Sequence, residues 1–178
     1  MTKYNSISVV VAHVPVNTYL EELLDKCLKS LFNQPYTELV VVVNDGIGYG
    51  KSYNRGFRHA RGDYMIAVSN DTVLTKGSLL DMCRPGVVTY SENAQWGCFF
   101  CLPRSVYEKI GGFDERFEGA YYEDNEYLDR LAKNNIPVER VEGVLVDHIG
   151  GVTVKALGKE EEWSQKNREV YEYLRDTK

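Results

Sequence analysis

Asp71 follows the apolar run Tyr64-Met65-Ile66-Ala67-Val68 after only Ser69 and Asn70. A carboxylate just past a buried strand can bind a metal or begin a turn, and the residue types leave both open. Two more acids, Glu123-Asp124, open a helical stretch, where the helix dipole stabilises each by roughly 0.3–1 kcal/mol and accounts for them structurally. Asp147-His148 closes the apolar run Val144 to Val146, and a histidine there can simply be a half-buried strand end satisfied by Asp147 or by backbone. Gly50-Lys51-Ser52 follows the strand Leu39 to Val43 and has the ending of a phosphate-binding P-loop, which would make the chain a phosphotransferase. That pattern fails at its first glycine, where Asp45 would repel phosphate. Cys98-x-x-Cys101 lacks the second pair of a zinc site and the helix start of a redox pair, so the four cysteines read as small buried hydrophobes in a reducing compartment.

The elements that position these residues follow from hydrophobic periodicity. Ser6 to Ala12 is an aliphatic strand, and Tyr19 to Phe32 is a helix with Leu20, Leu23, Leu24, Cys27, Leu28 and Leu31 on one face. The strand Leu39 to Val43, a helix from Lys51 to Ala60 and the strand before Asp71 complete a parallel βαβαβ unit with right-handed crossovers. The ends at His13, Asn44-Asp45 and Asn70-Asp71 then share one sheet edge, where open α/β sheets bind ligands. A short helix from Gly77 to Cys83, a strand from Trp96 to Leu102 and a helix from Pro103 to Ile110 follow. Beyond them come a helix from Glu123 to Asn134, short strands Pro137 to Val141 and Val144 to Val146, and a charged terminal helix from Gly158 to Asp176. Trp163, Val170, Tyr171 and Leu174 of that last helix are expected to pack on the body.

Gly50, Asn54-Arg55-Gly56, Ala60-Arg61-Gly62-Asp63-Tyr64, Asn70-Asp71-Thr72, Ile110 to Glu115, Glu123-Asp124 and Asp147-His148 occur in one order and spacing. In this the chain resembles the family-2 glycosyltransferases from Ser6 to about Gly151. The resemblance implies an α/β fold of GT-A (Rossmann-like) type: a mostly parallel central sheet flanked by helices, with a C-terminal helix. It also implies a metal-dependent inverting transfer of a sugar from a nucleoside-diphosphate sugar to an acceptor hydroxyl. Asp71 is the charged residue of the metal-binding triplet, with Ser69 where the family carries a second acid. His148 becomes its partner ligand for Mn²⁺ or Mg²⁺. Asp124 takes the role of catalytic base, with Glu123 tuning it. Ala12, His13, Asn44, Asp45, Lys51, Asn54, Arg55 and Asn70 fall on the nucleotide-sugar side; Lys51 and Arg55 equally suit a solvated helix face. Asn44 stands where an aspartate is usual, which leaves uracil, thymine and guanine open, with a UDP-sugar favoured over a GDP- or dTDP-sugar. Gly112, Phe113 and Asp114 are expected to face the acceptor, with Trp96, Tyr121 and Tyr122 as sugar-stacking surfaces, although aromatics there also suit the core. Ser69 keeps a second class open, a non-catalytic nucleotide- or sugar-binding relative.

The 178 residues suit one domain, with 1–95 as the donor half, 96–151 as the acceptor and catalytic half and 152–178 as a helical tail. A net charge of −5 and a pI near 5.3 speak against nucleic acid as a partner. The chain has no apolar run near the roughly 18 residues of a membrane span, and Ile7 to Ala12 is too short for a signal-peptide core, so a cytoplasmic protein is expected. The acceptor is not specified, and so short a chain leaves little room for an acceptor domain, so that side is expected to depend on the Tyr-rich segment near Tyr121, on the terminal helix or on a second subunit of a homo-oligomer.

Overall fold

A strand covered by helices on both faces is apolar at nearly every position, and the first and third strands meet that demand, whereas the second, at the sheet edge, leaves alternate residues exposed. The structure, a computed structural model, describes residues 6–44 and 46–177. β1 (Ile7–His13), β2 (Glu38–Val43) and β3 (Tyr64–Ser69) are parallel, with β1 central, and are joined through α1 (Thr18–Leu31) and α2 (Tyr49–His59) as expected. Val9, Val11, Ile66 and Val68 pack with Cys27 and Leu31 of α1. Their neighbours Val10, Met65 and Ala67 turn to the other face, against Tyr53 and Phe57 of α2. α1 starts where Asn17 accepts the Leu20 N–H on its side-chain oxygen at 3.0 Å.

α2 lies so close to β1 that a Cβ on Gly56 would stand 2.2 Å from Val10 Cγ1. Gly56→Ala is therefore expected to destabilise the fold by about 1–2 kcal/mol, since crowding a packed core outweighs the helix-propensity gain of alanine. A urea melt showing a lower midpoint at unchanged slope would register this.

Beyond β3 the sheet continues through β6 (Phe99–Pro103) and β5 (Val88–Ser91) to β7 (Val138–Val141), in the order β2-β1-β3-β6-β5-β7. β6 is antiparallel to β3, β5 is antiparallel to β6, and β7 is parallel to β5. α3 (Arg104–Ile110) begins at Pro103 and ends on Gly111, and α4 (Glu123–Lys133) buries Tyr127 and Leu131 in the core on the α2 side. Two strands differ from expectation. β5 is an unforeseen strand, and β4 (Thr72–Lys76) starts one residue after Asp71, where the chain turns without glycine or proline to mark a new element. β4 pairs antiparallel with β8 (Leu145–His148) in a separate two-stranded sheet, setting Thr72 opposite His148.

The expected helix from Gly77 to Cys83 is only a 3₁₀ turn, Leu79–Met82, and β6 begins at Phe99 rather than Trp96. The terminal segment is two helices, α5 (Val152–Leu157) and α6 (Glu160–Thr177), because Gly158 takes a left-handed φ of 64° that ends the first. Among the described residues no helix is long and apolar enough to cross a membrane. All four cysteines are free, and Cys27, Cys98 and Cys101 are buried.

Candidate active site

Parallel pairing aligns the strand ends: His13 lies opposite Val43 and Ala12 opposite Ser69, and the Asn44 N–H donates to the His13 carbonyl at 2.7 Å. The residues just past these ends, Asn44, Asn70 and Asp71, therefore meet at one edge. With Ala12, Trp96, Tyr121, Tyr122, Glu123, Asp124 and His148 they line a cleft of about 490 Å³. The described lining residues include three carboxylates and no lysine or arginine.

The β4–β8 pairing brings His148 to Asp71. His148 Nε2 is 3.3 Å from Asp71 Oδ1, while Asp71 Oδ2 accepts the Gly150 N–H at 3.0 Å. Asp71 is buried and His148 is partly open to the cleft. The Asp71 carboxylate, then the Cys98 thiol, favour the protonated ring and push the His148 pKa up to about 10. One carboxylate and one imidazole on a cleft wall, the ring giving up its proton when it ligates, form a donor set that suits Mn²⁺ or Mg²⁺ with further ligands drawn from phosphate and water. No group of three such side chains gathers among the described residues.

Glu123 and Asp124 face the same cleft from the first turn of α4. They are delivered by a loop in which Gly119, Tyr121 and Tyr122 have φ of 62°, 84° and 69°. For the two tyrosines this conformation costs of order 1–3 kcal/mol each, a strain that surrounding structure must offset. Burial raises the pKa of Asp124, whose Oδ1 accepts the Asn125 N–H at 2.9 Å. The Trp96 indole N–H donates to the Asp124 carbonyl at 3.3 Å.

Glu123 is 4% exposed, and one of its oxygens has no hydrogen-bond partner among the described residues. Burial, then the Asp124 charge, push its pKa up to about 8 from 4.5. The folded protein thus holds this proton to about pH 8 while the unfolded chain releases it near 4.5, so the stabilisation is complete below that lower value and is lost as pH rises through the higher. Glu123→Gln is expected to remove that loss, leaving the variant more stable than wild type by several kcal/mol at alkaline pH. Urea melts at acid and alkaline pH would show the two curves diverging.

Several expected site residues lie off the cleft or have their side chains committed to the fold. His13 is buried and bridges Asn70 Nδ2 at 3.0 Å to Glu21 Oε1 at 3.0 Å. The Asn44 side chain is committed to its own loop: Oδ1 accepts from Gly46 and Ile47, and Nδ2 donates to Ser52 Oγ at 2.5 Å. Ser52 Oγ already donates to the Gly48 carbonyl, so its partner here must be a donor, and an amide meets that need where a carboxylate would not. Ser52 is fully buried in this network and Gly50 lies inside α2 against Phe113, which rules out a phosphate-cradling loop there. Asp45 lies outside the described residues. Lys51 and Arg55 sit on α2 away from the cleft lining, Arg55 exposed and Lys51 near Glu115 and Glu118.

Asn54 grips the Phe113 backbone from both sides, accepting its N–H at 2.8 Å and donating to its carbonyl at 2.8 Å. The Phe113 ring packs on Tyr49, Tyr53, Phe100 and Tyr127. A Cβ on Gly112 would lie 2.0 Å from Asn54 Oδ1, and Asp114 is paired with Arg116. Gly112, Phe113 and Asp114 thus tie α2 to α4 and do not line the cleft. Trp96 both lines the cleft and stacks on Tyr127 at 6.1 Å. The cleft also takes in Tyr49, Cys98, Val152, Val154 and Trp163, which sequence reasoning missed. Only the apolar spacing of Val152, Val154 and Leu157 hinted at the α5 wall.

Residues 84–153, which hold Trp96, Glu123, Asp124 and His148, match the family model described as the N-terminal domain of galactosyltransferase. No curated protein matches the chain in sequence. Among solved structures, the catalytic domain of Drosophila β1,4-galactosyltransferase 7 in complex with xylobiose superposes with a TM-score of 0.64 at 16% identity, over 82% of this chain and 71% of that one. GalNAc-T7 with UDP, GalNAc and Mn²⁺ gives 0.69 at 10% identity, over 83% of this chain and 44% of that one. The mannosyltransferase PcManGT from Pyrobaculum calidifontis, solved with GDP-Man and Mn²⁺, gives 0.59 at 14% identity, over 78% of this chain and 55% of that one. The central sheet, the carboxylate-bearing cleft at its edge and these likenesses agree: the chain is a small protein of the GT-A glycosyltransferase fold.

Proposed function

We propose that the protein is a metal-dependent inverting glycosyltransferase that moves a sugar from a nucleoside-diphosphate sugar to an acceptor hydroxyl. The observation that carries this is one cleft with the Asp71–His148 pair on the strand-end wall and Asp124 on the α4 wall, and no lysine or arginine among its described lining. A diphosphate entering a cleft that holds the Asp71 and Asp124 carboxylates and no lysine or arginine among its described lining needs a cation to offset its charge. Asp71 and His148 would hold Mn²⁺ or Mg²⁺, which would supply that charge and stabilise the departing diphosphate.

The chain's own groups supply the rest. Asp124, its proton affinity raised by burial, accepts the proton of the acceptor hydroxyl as that oxygen bonds to the anomeric carbon. The bond from that carbon to the diphosphate oxygen breaks with its electron pair leaving on the nucleotide. Attack from the face opposite the leaving group inverts the centre. Glu123, neutral to about pH 8, sits beside Asp124 without adding a second full charge. The nucleotide base would lie against Ala12, Val14 and the Gly46 backbone, since the Asn44 amide is already bonded within its loop. Trp96, Tyr121 and Tyr122 offer aromatic faces to a sugar acceptor.

Two neighbours are described with UDP or UDP-Gal, one with GDP-Man, and two with xylobiose, which supports a UDP-sugar as the first donor to try. The direct test incubates UDP-Gal, UDP-GalNAc, GDP-Man and a dTDP-sugar with the protein, with Mn²⁺ or with EDTA, and measures nucleoside diphosphate released. Turnover of one donor that EDTA stops is the expected result, and the product's anomeric proton coupling should report inversion. Absence of turnover with every donor, or turnover indifferent to EDTA, would exclude the activity as stated.

A further inference from the structure

The C-terminal helix α6 does more than cover the body. Asn167, halfway along it, is completely buried. Its Oδ1 accepts the Glu118 N–H at 3.0 Å, and its Nδ2 faces the carbonyls of Glu118, Ala120 and Tyr121 at 2.7, 2.8 and 3.1 Å. One side chain thus meets the backbone polar groups of the very loop whose left-handed residues precede Glu123 and Asp124. The loop is held on its other flank by the Tyr49 N–H, which donates to the Gly119 carbonyl at 2.5 Å. The Trp163 ring of α6 fills the space where a Cβ on Gly119 would stand, 2.0 Å away.

We infer that Asn167 is a positioning residue for the catalytic carboxylates: it fixes loop 118–122 in its strained course and so aims Asp124 into the cleft, making α6 part of the active site. The inference rests on the assignment of Asp124 as base. An amide is the side chain this place requires, because it must accept once and donate to several carbonyls. Aspartate would present a second acceptor to three carbonyls, and alanine would leave them all unmet in a buried setting. The neighbouring Lys166–Glu118 ion pair, at 2.7 Å and half exposed, reaches the same loop from solvent and is expected to contribute little.

The test uses the full chain with Asn167→Asp, Asn167→Ala and, as control, Lys166→Ala. Three quantities are read: the titration midpoint of the Glu123 carboxyl by carbon NMR, hydrogen exchange of the amides from Gly119 to Asp124, and steady-state kinetics beside calorimetric UDP binding with Mn²⁺. In the isosteric Asn167→Asp, folded with a cooperative melt, the Glu123 midpoint is expected to fall from about 8 toward 4.5 as the loop admits water, and loop exchange to quicken. UDP binding should hold, because β1 to β3 form the base side, while kcat drops about 10- to 100-fold with donor KM unchanged, as expected of a misplaced base. Lys166→Ala should leave all three readouts at wild-type values. If either Asn167 variant folds and keeps the wild-type Glu123 midpoint and loop exchange, the positioning role is overturned. If wild type turns over no donor, the base assignment falls, and the NMR and exchange readouts alone decide the clamp.

Discussion

Asp124→Asn is expected to lower kcat by about 10²–10⁴-fold, the range for losing a positioned general base, with donor affinity unchanged. The substitution is clean because the contact that Asp124 makes in the fold survives it: an amide oxygen can still accept the Asn125 N–H now bonded at 2.9 Å. Only the capacity to take a proton is removed. The effect should lie in kcat, since the acceptor hydroxyl acidifies only as the anomeric carbon becomes cation-like, and the base matters most there. Glu123→Gln is the comparison that isolates the site. With its pKa near 8, Glu123 is neutral in the folded protein at pH 7, so a neutral amide changes little charge and should cost far less rate. Steady-state kinetics on both variants would tell them apart, and wild-type turnover by Asp124→Asn would remove the base from Asp124.

That Asp124 could be singled out from sequence, while its support could not, has a physical basis. The parallel βαβαβ unit and the edge at Asn44 and Asp71 are legible because the three strands are short, mostly apolar runs that end in polar residues and are separated by helical spacing, even though β2 leaves Leu39, Val41 and Val43 partly exposed. β4 is not legible, since it begins one residue after Asp71 and reads as the tail of β3; only its pairing with β8 explains why His148 stands beside Asp71. The Gly112-Phe113-Asp114 turn drew attention as an acceptor surface, yet its glycine answers a packing need: a Cβ at Gly112 would collide with Asn54. A motif marks constraint, and constraint comes from the fold as readily as from the ligand. Asn167 escaped notice altogether, because one asparagine in a charged helix has no periodicity to betray that its amide faces a loop 46 to 49 residues earlier.

Asp71→Asn is expected to abolish the metal's effect on both donor binding and turnover. The amide can still accept the Gly150 N–H, as Oδ2 does now at 3.0 Å, so the turn before β4 should persist. The anionic oxygen facing His148 is lost, and with it the only carboxylate among the described residues on the strand-end side of the cleft. With no lysine or arginine in the described lining to replace the cation, a diphosphate would face the Asp124 carboxylate with its charge poorly offset. His148→Ala leaves that carboxylate in place, so its expected effect is graded: the Mn²⁺ concentration giving half-maximal turnover should rise about 10–100-fold, the scale on which a supporting group changes metal affinity. Calorimetry of UDP with and without Mn²⁺ gives the same comparison without catalysis. Wild type should bind UDP more tightly with the metal, and Asp71→Asn should bind equally weakly in both. Tight UDP binding that ignores Mn²⁺ in wild type and is unchanged in Asp71→Asn would instead make the protein a nucleotide-binding relative that keeps the fold without the metal chemistry, and would assign Asp71 to the turn that links β3 to β4.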